Sequence, residues 1–335
     1  MRREPKRRER TGRRRMVPSL AIPAEASAFA VPTFDPAVRR TFVGASESAS
    51  LFGLNPWKSP LELWMTKAGL IDEPDLSSNE RVKWGKRNED TVAKGLAEDY
   101  GWQVRRVQRV IPHPTVANMA CTPDYEIVNH AKGPGLLQVK TVDSFTFRQH
   151  WPGKEPPINY VLQLQHEMAC TGRAWGILGV LVGGNQGLVF EYERDLATVR
   201  DIEVAVAGFW ASIAAGVSPD PDFRADAELI LKLYRQVTKG ETRTLDDPEL
   251  ETVIAELVAL GEAKASCERK HKEFRARLLE AIGSAEIAIC GDWEVRSREV
   301  PEVVVPVTTR RGYRTLNILS RVASAAESTD AAKAA

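Results

Sequence analysis

Apolar and polar positions change rhythm several times along this chain. Over residues 79–100, Val82, Gly85, Val92, Leu96 and Tyr100 recur at roughly helical spacing, which predicts a long amphipathic helix. A shorter helix is predicted over residues 59–69. Ser59 can cap it, Pro60 suits its first position and Gly69 stops it. Segments 102–111, 124–128, 135–142, 174–182 and 187–192 carry β-branched and aromatic residues between Gly, Pro or Asn, which predicts strands. Residues 157–171 return to a helical pattern. This order predicts an α/β core, a central mixed sheet flanked by helices.

The pattern changes again after Pro219 and Pro221, whose neighbouring Asp residues mark a boundary. Asp247-Pro248 opens a long helix running to about Gly283. Its apolar residues, among them Leu250, Val253, Ile254, Leu257, Leu260, Cys267, Phe274, Leu278 and Ile282, mostly form one stripe. The charged face opposite is a solvated surface or one arm of a helical hairpin. Residues 285–317 alternate like two or three strands, with Gly291-Asp292 as a turn. Four regions are therefore expected: a disordered basic and Ala/Pro-rich arm over 1–37, a core over 38–222, a C-terminal helical and β-hairpin extension over 223–320, and a disordered tail over 321–335.

Composition adds limits. A chain of 335 residues with 43% apolar and 27% charged content is that of an ordinary soluble protein with one sizeable core and a smaller unit. No run approaches the roughly eighteen apolar residues of a membrane span. Cys121, Cys170, Cys267 and Cys290 form no Cys-x-x-Cys pair, which argues against structural zinc or a disulfide framework and fits a reducing cytoplasm. The net charge of +1 hides an asymmetry, because residues 1–15 hold nine Lys/Arg against two Glu. That arm suits contact with nucleic acid. It equally fits a solvated tail, or sequence upstream of a start at Met16.

Candidate chemistry concentrates around Pro123-Asp124 and Gln138-Val139-Lys140. Strand alternation puts Gln138 and Lys140 on one face and leaves the Val139 carbonyl free to face a metal ion. Asp124, at the end of a neighbouring strand, can bridge such ions, and oxygen donors suit Mg²⁺. A lysine beside them can orient or help deprotonate a water for phosphodiester cleavage. The position of Gln138 would be acidic in such a site, and a neutral amide weakens divalent binding.

Those residues stand among others in a familiar order. Arg39, Val43-Gly44-Ala45-Ser46-Glu47, Leu54-Asn55-Pro56-Trp57-Lys58-Ser59-Pro60-Leu61-Glu62-Leu63-Trp64 and Trp84-Gly85-Lys86-Arg87-Asn88-Glu89 come first. Cys121-Thr122-Pro123-Asp124, Leu137-Gln138-Val139-Lys140-Thr141 and Tyr160-Val161-Leu162-Gln163-Leu164-Gln165 follow. Over roughly residues 38–192 the chain resembles the YqaJ-like viral recombinase family, relatives of lambda exonuclease within the PD-(D/E)xK nuclease superfamily. The phrase from Ala285 to Trp293 also looks like the C-terminal part of many such proteins.

The resemblance implies a restriction-endonuclease-like core that binds Mg²⁺, with Mn²⁺ as an alternative. Asp124 matches the Asp that coordinates both metal ions, and Gln138 stands where a metal-binding Glu is usual. Lys140 matches the lysine near the nucleophilic water, and Glu89 an acidic residue of the metal site. Tyr160 and Gln163 match the family's Tyr-x-x-Gln near the scissile phosphate, whereas Gln165 points elsewhere. Arg39 and Ser46 match an Arg/Ser pair that holds the DNA terminal phosphate, a role the planar guanidinium suits. The implied activity is 5′ to 3′ digestion of linear double-stranded DNA. It leaves a 3′ strand for a single-strand annealing protein, and in the family it often takes place in trimeric rings. The implied setting is phage or prophage recombination in a bacterial cytoplasm.

Three explanations of Gln138 stay open: a natural active variant, a deliberate replacement of Glu, and a lineage that has lost cleavage and kept DNA-end binding. The last makes the chain a catalytically impaired end-binding module that loads a recombinase. An iron–sulfur nuclease is disfavoured by the scattered cysteines, and no specificity element of a restriction enzyme is recognisable. His150 and His166 read as packed or surface residues. Trp57 reads as core packing or as a stacking platform at a DNA end.

Overall fold

The computed structural model describes residues 36–107 and 109–299. The expected arm and tail, and the third expected strand of the C-terminal region, lie outside the described residues. Elements follow in the order α1 (Pro36–Arg39), β1 (Val43–Gly44), α2 (Ser48–Leu51), α3 (Pro60–Lys67), α4 (Glu80–Tyr100), β2 (Val104–Arg106), β3 (Ile111–Pro112), β4 (Met119–Cys121), β5 (Tyr125–Ile127) and β6 (Gly135–Val142). Then come α5 (Ser144–His150), α6 (Ile158–Thr171), β7 (Trp175–Val182), β8 (Gln186–Glu193), α7 (Leu196–Ala215), α8 (Ala227–Leu233), α9 (Pro248–Ile282), β9 (Ile287–Cys290) and β10 (Trp293–Arg296).

Local chemistry sets the helix ends. The Ser59 hydroxyl accepts the Glu62 N–H ahead of Pro60, and Asn79 accepts the N–H groups of Arg81 and Val82. Gly101 closes α4 in the left-handed conformation at φ 67°. Asp247 caps α9 with Pro248 in its first turn.

Five strands form the central sheet in the order β2-β5-β6-β7-β8. β6 and β7 run parallel and the other neighbours antiparallel, so the sheet is mixed. The parallel step needs a crossover, which α5 and α6 supply. Val92, Ala93 and Leu96 of α4 pack against Tyr125, Leu137, Val139 and Ile177 on one face. On the other face Leu164 and Met168 of α6 meet Leu136. α6 is buried continuously from Leu162 to Cys170, because its far side also packs on α2 and α7. Each buried Leu or Met there contributes about 1.5–3 kcal/mol by leaving water.

A second small sheet, β1-β4-β3, pairs Val43 with Met119. The segment expected as one strand over 102–111 is instead two short strands in different sheets, β2 and β3. The twenty-residue α7 had no counterpart in the sequence pattern. The chain divides into two compact units between Leu229 and Ile230, seven residues past the expected boundary at 222. Asp226 explains the offset: it accepts a hydrogen bond from Ser59 and another from the Asp222 N–H. The second unit contains α9 and the antiparallel hairpin of β9 and β10, turning at Gly291-Asp292. Among the described residues, no helix is long and apolar enough to cross a membrane.

Candidate active site

Register brings the first two candidates together. Tyr125 of β5 pairs with Leu137 of β6, so Asp124, one residue before the strand, stands opposite Gln138. Its Oδ2 accepts from Gln138 Nε2 at 2.6 Å and from the Val139 N–H at 2.9 Å. A residue in a paired strand turns its N–H and C=O to the same side, so the Val139 carbonyl shares that edge. Leu136, Gln138 and Lys140 alternate onto the sheet face covered by α6, while Leu137 and Val139 face α4.

Lys140 reaches α6 from this face. Its Nζ donates to Gln163 Oε1 at 3.0 Å and lies 5.3 Å from the centre of the Tyr160 ring. Gln163 passes the contact on, since its Nε2 donates to Glu167 Oε1 at 2.9 Å. Gln138 and Lys140 share one strand face, so the pairs Asp124–Gln138 and Lys140–Gln163, with Tyr160 beside the lysine, form one group. Glu89 joins it from α4: its charge acts on Asp124, and Arg106 holds its Oε1 at 3.2 Å.

Electrostatics follow from enclosure. Asp124 keeps some access to solvent but is surrounded by protein on almost every side. Burial pushes its carboxyl up to about 6, against the favourable charge of Lys140 and with the added repulsion of Glu89. Tyr160 is raised by burial alone. Glu167 is 1% exposed, and burial together with the Asp124 charge raises it to about 8.

The donor set fits a hard divalent cation. The Asp124 carboxylate, the amide oxygen of Gln138 and the Val139 carbonyl offer oxygens. Gln138 Oε1 is buried and has no hydrogen-bond partner. Among the described residues, no group of three or more His, Cys, Asp or Glu side chains could hold a metal ion, in keeping with an amide at position 138.

Arg39 and Ser46 are not joined to this group by a hydrogen bond or ion pair among the described residues. Arg39 ends α1, with Nε 3.8 Å from Glu73, and its carbonyl accepts from Lys67 Nζ. Ser46 is exposed. Glu47 beside it is buried and held by Lys67 at 2.7 Å, by Lys58 at 3.5 Å and by the Gly44 N–H. His166 is fully buried and bonds Ser48 Oγ and the Ala120 carbonyl, so it ties α2 to β4. Gln165 bonds the Glu193 carbonyl and the Asp195 N–H, fixing the turn from β8 to α7. Trp57 is 69% exposed, with its ring 6.1 Å from that of Tyr160.

Two features escaped the sequence reading. One is Glu167, although its spacing of four from Gln163 puts both on one helix face. The other is a cavity of about 460 Å³ beside Pro123, lined by Arg105, Arg106, Arg109 and Arg173. Glu126 pairs with Arg105 and Arg173, and Arg173 Nε remains buried without a partner.

The core is thus an α/β fold, a central mixed sheet flanked by helices, with Pro-Asp just ahead of one strand and Gln-x-Lys on the next. Residues 36–174 match the family model of the YqaJ-like viral recombinase domain. The chain is 28% identical over 260 residues to the uncharacterized protein YqaJ of Bacillus subtilis (strain 168), covering 76% of this chain and 80% of that one. It is also similar to solved structures of LHK-Exo. One is LHK-Exo in complex with dAMP, at 27% identity, and the other is described as an alkaline exonuclease from Laribacter hongkongensis, at 24%. Each covers 58% of this chain and 97% of the other, with a TM-score of 0.45.

Proposed function

We propose that this chain is a metal-dependent exonuclease that digests linear double-stranded DNA from 5′ to 3′. The observation that carries the reading is the group of Asp124, Gln138, Lys140 and Gln163 on one sheet face. Asp124, Gln138, the Val139 carbonyl and Glu89 would hold Mg²⁺, or Mn²⁺ in its place. Bound there, the cation lowers the pKa of a coordinated water and neutralises charge on the phosphate.

The remaining steps belong to the chain's own side chains. Lys140, fixed by Gln163, orients the attacking water and carries positive charge towards the scissile phosphate. Tyr160 walls the lysine with its ring, and Trp57 beside it presents an exposed face to a terminal base. Arg39 and Ser46 hold the 5′ phosphate, a role for which Arg39 must leave Glu73. The arginine-lined cavity supports binding of the strand's phosphates. The product is a 3′ strand for a single-strand annealing protein, in phage-type recombination in the bacterial cytoplasm. A trimeric ring around the duplex would supply processivity.

A second reading keeps DNA-end binding and loses cleavage, and the neutral Gln138 is the observation in its favour. Calorimetry with Mn²⁺ separates the two, because an impaired module should take up no metal. The nuclease reading is tested on end-labelled linear duplex with Mg²⁺ or Mn²⁺, using the wild type and Gln138→Glu. Degradation by the wild type supports it, degradation by Gln138→Glu alone favours the second reading, and inertness of both overturns it.

A further inference from the structure

We propose that Glu167 supplies a carboxylate to the metal site from helix α6, replacing the charge that strand β6 lacks at Gln138. The proposal rests on the metal-dependent reading above and names a ligand that reading does not contain.

Four observations converge on Glu167. It is 1% exposed, yet among the described residues it forms no ion pair, and Lys140 is bonded to Gln163 instead. Its Oε1 is engaged by Gln163, but its Oε2 is buried with no partner. Gln138 Oε1, on the sheet face that α6 covers, is buried and unpartnered as well. Asp124 bonds that same Gln138 amide, and its charge adds to the burial that raises Glu167. An acidic group under these conditions needs a proton or a cation, because burial without a counter-charge is strongly unfavourable.

A purely structural role accounts for less. As a hydrogen-bond acceptor for Gln163, a glutamine would serve equally well without a buried charge. The backbone contact at this position needs no carboxylate: the Glu167 carbonyl accepts from Thr171 Oγ1 at 2.7 Å. Glu167 also shares its supporting residue with Lys140, since one Gln163 amide bonds both. Glu167 then adds a carboxylate from α6 to that of Asp124, with the Gln138 amide oxygen between strand and helix. That restores the acid count the family arrangement has with Glu at position 138.

The test compares the full-length wild type, Glu167→Gln and the double variant Gln138→Glu/Glu167→Gln. Each is titrated with Mn²⁺ alone by calorimetry, and its metal-free Tm is measured. The expected result is a loss of at least about tenfold in Mn²⁺ affinity for Glu167→Gln. The double variant should regain affinity, and the metal-free Tm should be unchanged or raised. Unaltered Mn²⁺ affinity in Glu167→Gln, a lowered Tm or failure to fold would overturn the proposal, as would a wild type that takes no Mn²⁺. Mn²⁺ binding that depends on Glu167 in a protein that leaves duplex DNA intact would instead sink the nuclease reading and keep the ligand.

Discussion

Asp124 makes a prediction that needs no substrate. Its carboxyl sits near 6 in the folded protein, against an ordinary value of about 3.9. The unfolded chain therefore releases this proton first. Folded stability falls as pH rises from about 4 to 6, and the full cost applies above 6. That cost is at most about 3 kcal/mol, less what solvent screens at a partly accessible group. Asp124→Asn should raise the metal-free Tm at pH 8, leave it nearly unchanged at pH 4 and abolish cleavage. An equal effect on Tm at both pH values would contradict this account of the carboxylate. Lys140→Ala should lower the cleavage rate by about 10²–10⁴-fold, with DNA-end affinity changed far less. Single-turnover kinetics alongside a binding isotherm would separate the two effects.

At the scale of elements, glycine at 135 is required by its neighbour. A Cβ there would meet the Trp175 ring at 2.3 Å, and that indole is pinned through Nε1 to the Gly133 carbonyl. Gly135→Ala should cost about 1–3 kcal/mol in a denaturation midpoint by pushing β6 off β7. Lys67 and Glu47 form a nearly inaccessible ion pair that also holds the Arg39 carbonyl and the Gly44 N–H. Lys67→Met should cost about 3–5 kcal/mol, because Glu47 stays buried. Loss of under 1 kcal/mol would show that Lys58 alone suffices.

These elements also show what a sequence can reveal. α3, α4 and α9 were legible because each carries its own cap, at Ser59, Asn79 and Asp247. β6 and β7 were legible as apolar runs buried on both faces. β1, β3 and β4 were not, being two or three residues long and paired across long sequence gaps, as Val43 is with Met119. α7 was missed because its apolar residues, Ala and Val among them, crowd every side of the helix and blur the period. The group of Asp124, Gln138, Lys140 and Gln163 was readable from motif order. Glu167 was not, because only the burial of α6 on all sides distinguishes it from a surface Glu.

For the whole molecule, the first unit carries the candidate site in full, from Glu89 on α4 to Gln163 on α6. The second unit exposes much of α9, including Leu257 and Leu260. If Arg39 and Ser46 hold the terminal phosphate, duplexes with 5′-phosphate ends should be degraded faster than those with 5′-hydroxyl ends. Arg39→Ala should erase that preference. Equal rates in the wild type would remove the pair from the site.

The central claim is that the Asp124–Gln138–Lys140 group cleaves DNA with a divalent metal despite the missing acid. Its most direct test is digestion of end-labelled linear duplex by the wild type, Gln138→Glu and Lys140→Ala in Mg²⁺ or Mn²⁺. The account predicts processing by the wild type, equal or faster processing by Gln138→Glu, and loss with Lys140→Ala or chelator. No degradation by the wild type would contradict it, whatever Gln138→Glu does.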